Sequence, residues 1–465
     1  MFRLFVHREA HAQLSIILLC GAIFCGQAAA QNRIVGYYAA YNSGLLPYDQ
    51  VEYSNLTDVI VAFAIPNSDG SISFIDPSMP FPGLVSAAHA AGTKVLISLG
   101  GASGGTAFPL VTADSTSRAR FINSIIAFLT TNSYDGVDLD WETPADSQET
   151  DQLTALVRDM RARFAQTDSS FLITMAIPPG PWGGQHFDIR NLVANVDWFN
   201  VMCYDFVGSW STYAGHNSPL YQAVDDSNQA GSDSLAVAYW IGRGSRSVAI
   251  PKDKLVLGVP FYSVQFDAPG LYRMLSNSTT TNPYYPEVMS DLAAGWVYHW
   301  DNVSKVPYLM NSSGTEFITF EDTNSIAIKV EFCSRQQLGG LMIWELSQDL
   351  YNGHQPLLET LAGKMKTTTA VVAHPVAASQ FKLLQNYPNP FNPTTVISYK
   401  LSTSSYVTLR VYDALGREVR TLQNGWTNPG THEIVFDASG FASGIYLCTI
   451  TSGSFMQTEK MILIR

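Results

Sequence analysis

The sequence predicts an α/β protein: a closed (β/α)8 TIM barrel with a small α+β insertion between its seventh and eighth strands, followed by an all-β sandwich domain. Three observations predict it. From Arg33 to Glu345, short apolar runs rich in Val, Ile and aromatic residues alternate with stretches of helical periodicity. Eight such runs occur, the number that closes a parallel barrel. From Phe381 onward the pattern changes to short strands of period two, as a sandwich requires.

Residues 1–30 read as a secretory signal peptide. Arg3 and Arg8 supply the positive end, Leu14–Phe24 the apolar run and Ala28-Ala29-Ala30 the small-residue cleavage site. The run is too short to span a membrane comfortably, and no later stretch has the length and apolarity of a membrane helix. No transmembrane segment is therefore expected after signal cleavage.

Residues 31–364 are assigned to the barrel. Strands are expected at Ile34–Tyr38, Val59–Ala64, Lys94–Leu99, the acidic stretch Tyr134–Glu142, Phe171–Ile177, Trp198–Tyr204, Leu255–Tyr262 and Gly340–Glu345. Helices fill the gaps. Phe121, Ile125, Ile126 and Leu129 recur at helical spacing before the fourth strand, and Leu153, Leu156, Val157, Met160 and Phe164 after it. These stripes are core packing. The long interval between the last two strands predicts the insertion at about 263–322, then a helix around Ser325–Arg335. Thr367-Thr368-Thr369, scattered Ala and Pro375 mark residues 365–380 as a linker. In residues 381–465, strands are expected at Val396–Leu401, Val407–Tyr412, Glu418–Leu422, Thr431–Phe436, Ile445–Ile450 and Gln457–Ile464.

Composition narrows the class of partner. The net charge is −12; without Arg3, Arg8 and Glu9 of the signal, 25 basic residues face 38 acidic ones. That balance disfavours nucleic acid and anionic membranes. Aromatic residues make up 12% of the chain, which suits stacking on sugar faces and equally suits an ordinary core. Cys20 and Cys25 leave with the signal. The odd number remaining, Cys203, Cys333 and Cys448, implies neither a disulfide framework nor a zinc site. No metal or cofactor is expected, and the protein is expected to be a monomer.

The chemistry concentrates in Tyr134-Asp135-Gly136-Val137-Asp138-Leu139-Asp140-Trp141-Glu142. On a strand, Asp138, Asp140 and Glu142 face one way at Cα spacings of roughly 6.6 Å, while Val137, Leu139 and Trp141 face the other. A row of acids on an apolar strand cannot all ionise cheaply, so at least one holds a proton near neutral pH. General acid catalysis requires such a proton. A solvent-facing acidic edge is opposed by the apolar alternation, and a calcium loop would need Gly turns and denser oxygen ligands.

Asp135, Asp138, Asp140 and Glu142 also fill the pattern Asp-x-x-Asp-x-Asp-x-Glu, and here the chain resembles the family 18 glycoside hydrolases, the chitinases and their relatives. Ser98-Leu99-Gly100-Gly101, Met202-Cys203-Tyr204-Asp205 and Gly339-Gly340-Leu341-Met342-Ile343-Trp344 carry the same resemblance at the ends of the third, sixth and eighth strands, where barrel enzymes build their sites. The resemblance implies hydrolysis of β-1,4 links in chitin or N-acetylglucosamine oligosaccharides by a retaining, substrate-assisted route. Glu142 would be the general acid and base. Asp140 would hold the acetamido N–H, Asp138 would share a proton with Asp140, and Tyr204 would donate to the acetamido carbonyl. Asp205 and Met202 would shape the pocket, Trp344 would form the sugar's floor, and Trp210 would stack on the leaving sugar. Tyr37, Phe63 and Tyr262 would line the same pocket. Asp135 points off the row and reads as structural, as does His216. Two departures from the family's pattern, Ala102 after the double Gly and Ser263-Val264 after Tyr262, affect the outer subsites and leave the acid row intact. Relatives acting on glycoprotein or cell-wall glycans, and non-catalytic sugar binders lacking the last acid, are the alternatives.

The final residues bring a second resemblance. Tyr387-Pro388-Asn389-Pro390-Phe391-Asn392-Pro393, Val411-Tyr412-Asp413, Gly416-Arg417-Glu418-Val419 and Gly444-Ile445-Tyr446 are similar to the C-terminal sorting domains of the type IX secretion system. This implies contact with secretion machinery, export through the periplasm, and a secreted or cell-surface protein.

Overall fold

The structure is a computed structural model that describes residues 32–223, 225–226, 230–242, 249–277, 280–372, 382–401, 405–413, 417–427, 430–452 and 455–464. The signal segment lies outside the described residues. The chain divides into two compact units, Met1–Thr369 and Ala370–Arg465.

Eight parallel strands close the first unit: Arg33–Ala39, Asp58–Pro66, Lys94–Gly100, Gly136–Asp140, Leu172–Ile177, Trp198–Val201, Leu255–Pro260 and Gly340–Trp344. The first pairs with both the second and the eighth, Tyr37 opposite Ile60 and Val35 opposite Met342. Closure removes the open edges that an extended sheet would expose. Alternation along the strands separates two apolar layers. Val35, Tyr37, Ile60, Leu96, Trp198 and Met342 belong to one cluster. Ile34, Val59, Val95, Val137, Leu139 and Ile173 join the residues of the surrounding helices in another.

Helices Ser115–Asn132, Ser147–Thr167 and Thr323–Gln336 occupy the expected positions, and Asp114, Asp146 and Asp322 cap their N-termini by accepting from backbone N–H groups. The stripes Phe121, Ile125, Leu129 and Leu153, Leu156, Val157, Met160, Phe164 are buried. The helical layer is incomplete, however. Only short 3-10 turns link the first two strands, and two four-residue helices, Pro181–Gly184 and Ile189–Leu192, link the fifth and sixth.

Three strands end two or more residues earlier than their apolar runs suggest. The fourth stops at Asp140, the sixth at Val201 and the seventh at Pro260. Beyond Val201 the Cys203 carbonyl is taken by the Ser218 hydroxyl, at 2.6 Å, and Asp205 turns the chain with φ of 57°. A short antiparallel strand, Ile72–Phe74, also pairs with the second strand, which the sequence reading did not anticipate.

Between the seventh and eighth strands lies the expected α+β insertion. Val264–Asp267, Thr280–Thr281, Val297–Asp301, Val306–Met310 and Glu316–Thr319 form an antiparallel sheet, packed with helix Tyr285–Ala293 around Val288, Leu309, Ile318 and Phe320.

The segment read as a linker requires correction. Helix Pro356–Val372 runs well into residues 365–380. Leu357, Leu358, Leu361, Ala362 and Met365 continue one buried stripe, and the Thr367 hydroxyl bonds back to the Gly363 and Lys364 carbonyls. Thr367 therefore does not stop this helix, because its hydroxyl is satisfied within it.

The second unit holds two antiparallel sheets. Lys382–Leu383, Thr394–Leu401 and Gly430–Asp437 form one; Ser405–Asp413, Glu418–Thr427, Gly444–Ser452 and Phe455–Leu463 form the other. Ile397, Tyr399 and Phe436 from the first sheet meet Val407, Leu409, Val411, Cys448 and Ile450 from the second in one buried core, which makes a sandwich.

Candidate active site

The fourth strand buries Val137 and Leu139 against the helices. The alternate positions, Asp138 and Asp140, share the opposite face of the strand. Asp138 is fully buried and accepts four hydrogen bonds: from Tyr37 Oη at 2.8 Å, Ser98 Oγ at 2.9 Å, Thr174 Oγ1 at 2.6 Å and Asn200 Nδ2 at 3.4 Å. Burial pushes its pKa up, and these donors oppose the rise. None of the four is Asp140, so Asp138 acts on its neighbour through charge and not through a shared hydrogen bond.

Asp140 is buried, and its pKa lies well above the usual carboxylate range. Burial is the largest cause, followed by the charges of Glu142 and Asp138. A hydrogen bond joins it to Glu142, and this bond raises Asp140 while lowering Glu142. The two carboxyls therefore share a proton. Asp140 Oδ1 is buried with no hydrogen-bond partner among the described residues. Such an orphaned acceptor is costly unless a ligand satisfies it.

Glu142 stands beyond the strand end. It is exposed to solvent yet flanked by protein on most sides, like a side chain on the floor of an open cleft. Burial raises its pKa most, the Asp205 charge raises it further, and the hydrogen bond from Asp140 opposes both. Exposure thus grows along the row, from Asp138 inside the barrel to Glu142 at its mouth.

The third strand explains the paired glycines. Gly100 has φ of 108°, and a Cβ there would lie 2.3 Å from the Asp140 carbonyl oxygen. Gly101 donates its N–H to the same oxygen at 2.9 Å. Only glycine lets the chain pass so close to the acid strand.

Tyr204 is buried, and burial, then the charges of Asp140, Asp205 and Glu142, keep its hydroxyl protonated and able to donate. Tyr262 Oη donates to Asp205 Oδ1 at 2.5 Å, and the Tyr204 and Tyr262 rings meet edge to face. Trp344 is half-buried, stacked on Phe63 with ring centroids 5.7 Å apart and tilted on Tyr37 at 5.2 Å. Tyr37, Phe63, Tyr204 and Tyr262, with Met202 and Trp344 packed against them, belong to one apolar cluster.

Other aromatic residues lie elsewhere. Trp210 is 66% exposed and covers Gly208, outside that cluster. Trp182 is exposed as well. Asp135 bonds His89 and the Val95 N–H, and buried His216 bonds Thr319 and Asp301; both are structural ties. Sequence reasoning missed Thr174, Asn200 and Asn217. The first two are polar residues on otherwise apolar inward faces, a signal that was available. Asn217 Oδ1 accepts from the Asp205 N–H at 2.8 Å and has no comparable signature. Among the described residues, the one group with ligand atoms close enough for a metal is Glu52, His354 and Glu359, and none belongs to the acid row.

Comparison with known proteins agrees with this geometry. Residues 33–349 match Glycosyl hydrolases family 18, and residues 385–465 match the Secretion system C-terminal sorting domain. A "Probable endochitinase" of Caenorhabditis elegans is 34% identical over 288 residues, 56% of this chain and 44% of that protein, so the chain spans less than half of that relative's length. An immunomodulatory active chitinase from Trichuris suis superposes with a TM-score of 0.67 at 26% identity, over 72% of this chain and 100% of that one. The Ostrinia furnacalis Group IV chitinase in complex with allosamidin gives a TM-score of 0.66 at 25% identity, over 73% of this chain and 100% of that one. Most of its length aligned, its barrel closed and its acid row in place, this chain belongs to family 18 of the glycosyl hydrolases and carries a secretion sorting domain at its C-terminus.

Proposed function

We propose that the protein is a secreted chitinase that hydrolyses β-1,4 links between N-acetylglucosamine units by a retaining, substrate-assisted mechanism. The observation that supports this best is Asp140: a buried carboxyl with one orphaned oxygen, hydrogen-bonded to Glu142, beside the Tyr204 hydroxyl. An acetamido group has one donor and one acceptor to offer. Its N–H would satisfy Asp140 and its carbonyl would accept from Tyr204, which holds the carbonyl oxygen for attack on the sugar's own C1. The proton shared with Asp140 would pass through Glu142 to the departing glycosidic oxygen, leaving Asp140 ionised, and Glu142 would then take one from water. Asp140 would offset the positive charge that develops on the oxazolinium ion, and Asp138 would supply fixed negative charge behind it. Trp344 would form the floor, with Tyr37, Phe63, Met202, Asp205 and Tyr262 around the pocket and Trp210 on the leaving sugar.

The reading is tested by the products of a defined chitin hexamer over time, with anomers resolved. Short N-acetylglucosamine oligomers appearing first as the β-anomer are expected. An α-anomer, or cleavage confined to glycopeptides or peptidoglycan, would reject it.

Asp205 gives a pH prediction. Its charge raises the Glu142 pKa. In Asp205→Asn that charge is gone, the ionised form of Glu142 becomes easier to reach, and its pKa falls. The alkaline limb of kcat/KM is expected to move to lower pH, read from rates across a pH series.

The C-terminal domain would direct export to the cell surface or medium through secretion machinery. Deleting residues 385–465 is expected to leave chitin-hydrolysing activity in the cell fraction and remove it from the medium.

A further inference from the structure

Lys329 is completely buried, and it stands outside the acid row and its aromatic cluster. It lies on helix Thr323–Gln336. Its ammonium donates to Ser218 O at 2.7 Å, Ser218 Oγ at 2.6 Å and Glu321 Oε1 at 2.6 Å, and Asp233 Oδ2 lies 3.0 Å away. Asp233, Glu321 and Ser218 are themselves buried.

Ser218 links this group to the site. Its Oγ accepts from Lys329 and donates to the Cys203 carbonyl at 2.6 Å. The preceding residue, Asn217, accepts the Asp205 N–H on its side chain at 2.8 Å and the Phe206 N–H on its carbonyl at 3.2 Å. Two adjacent residues thus clamp the chain on both sides of Tyr204. Asp205 between them has a left-handed backbone, with φ of 57°. A non-glycine residue holds that conformation when its surroundings impose it.

We propose that Lys329, acting through Ser218, is a positioning residue that holds the Cys203–Phe206 turn so that Tyr204 and Asp205 face the acid row. The inference rests on the chitinase reading for its kinetic consequence and on backbone geometry for the rest. A buried ion pair alone is weak evidence of function, since apolar replacements are often neutral or stabilising. Here the ammonium also spends two of its donors on the residue that pins the turn. The ion pairs to Asp233 and Glu321 fix where the ammonium stands.

Two variants of the full chain test this. Ser218→Ala removes the hydroxyl that ties Lys329 to the Cys203 carbonyl, and keeps the ion pairs and the Lys329 bond to the backbone carbonyl of residue 218. Lys329→Met removes the anchor, and because it strands two carboxyls the milder Ser218→Ala decides if it fails to fold. Displacing reacting groups by about 1 Å can cost about 100-fold. A fall in kcat on chitin hexamer of about 10- to 100-fold is expected for Ser218→Ala, with KM changed by less than about threefold. Hydrogen exchange supplies a readout independent of any substrate. The Asp205 and Phe206 amides are expected to exchange at least about tenfold faster, while the Gly101 amide on the third strand's end is unchanged. A lower urea midpoint with unaltered kcat and unaltered Asp205 and Phe206 exchange would overturn the proposal and leave a purely structural staple. If the wild type releases no product from chitin, the chitinase reading fails, and the exchange result alone still decides the positioning role.

Discussion

Glu142→Gln is expected to lower kcat on a chitin hexamer by about 10²- to 10⁴-fold, the range that a positioned acid–base group contributes. Glutamine keeps the size and polarity of the side chain and removes the transferable proton. Glu142 stands at the mouth of the barrel, and the glutamine carbonyl can still accept from Asp140, so the change strands no buried donor and the fold should be unaffected. Oligomer binding should persist, because the aromatic cluster around Tyr37, Phe63 and Trp344 is untouched. Calorimetry beside a reducing-end assay separates the two. Equal rates for variant and wild type would remove Glu142 from the chemistry.

Asp140→Asn should cost roughly 10²- to 10³-fold in kcat, the scale seen when one preorganised electrostatic partner of a transition state is lost. Asp140 and Glu142 are hydrogen-bonded in the resting site, and an asparagine N–H can donate to Glu142 in the same place. What asparagine cannot do is become negative when positive charge develops on the sugar. Ground-state binding should therefore survive while turnover does not, a pattern read by comparing kcat with the oligomer Kd. An unchanged kcat would argue against participation by the acetamido group. Asp140→Ala differs in one further respect. It also deletes the donor that favours ionised Glu142, so the Glu142 pKa rises and the alkaline limb of kcat moves to higher pH. That shift runs opposite to the one expected for Asp205→Asn.

Much of the barrel was legible because its strands are nearly continuous apolar runs, and the acid row because period-two spacing puts Asp138 and Asp140 on one face. Strand ends were less legible. Trp198–Tyr204 reads as one run, yet the ladder stops at Val201 because Cys203 bonds a loop residue instead of a neighbouring strand. The linker composition misled for a related reason: the side chains of Met365 and Thr367 find partners that composition does not report. Which acids pair was out of reach, since it depends on Asp138 being occupied by Tyr37, Ser98, Thr174 and Asn200, while Asp140 bonds Glu142.

Those four donors come from the first, third, fifth and sixth strands. A single carboxylate is thus the meeting point of half the staves of the barrel. Grafting one of those strands alone from a distant homologue would break the junction from that side, so chimeras should exchange the surface loops or transfer all five staves together.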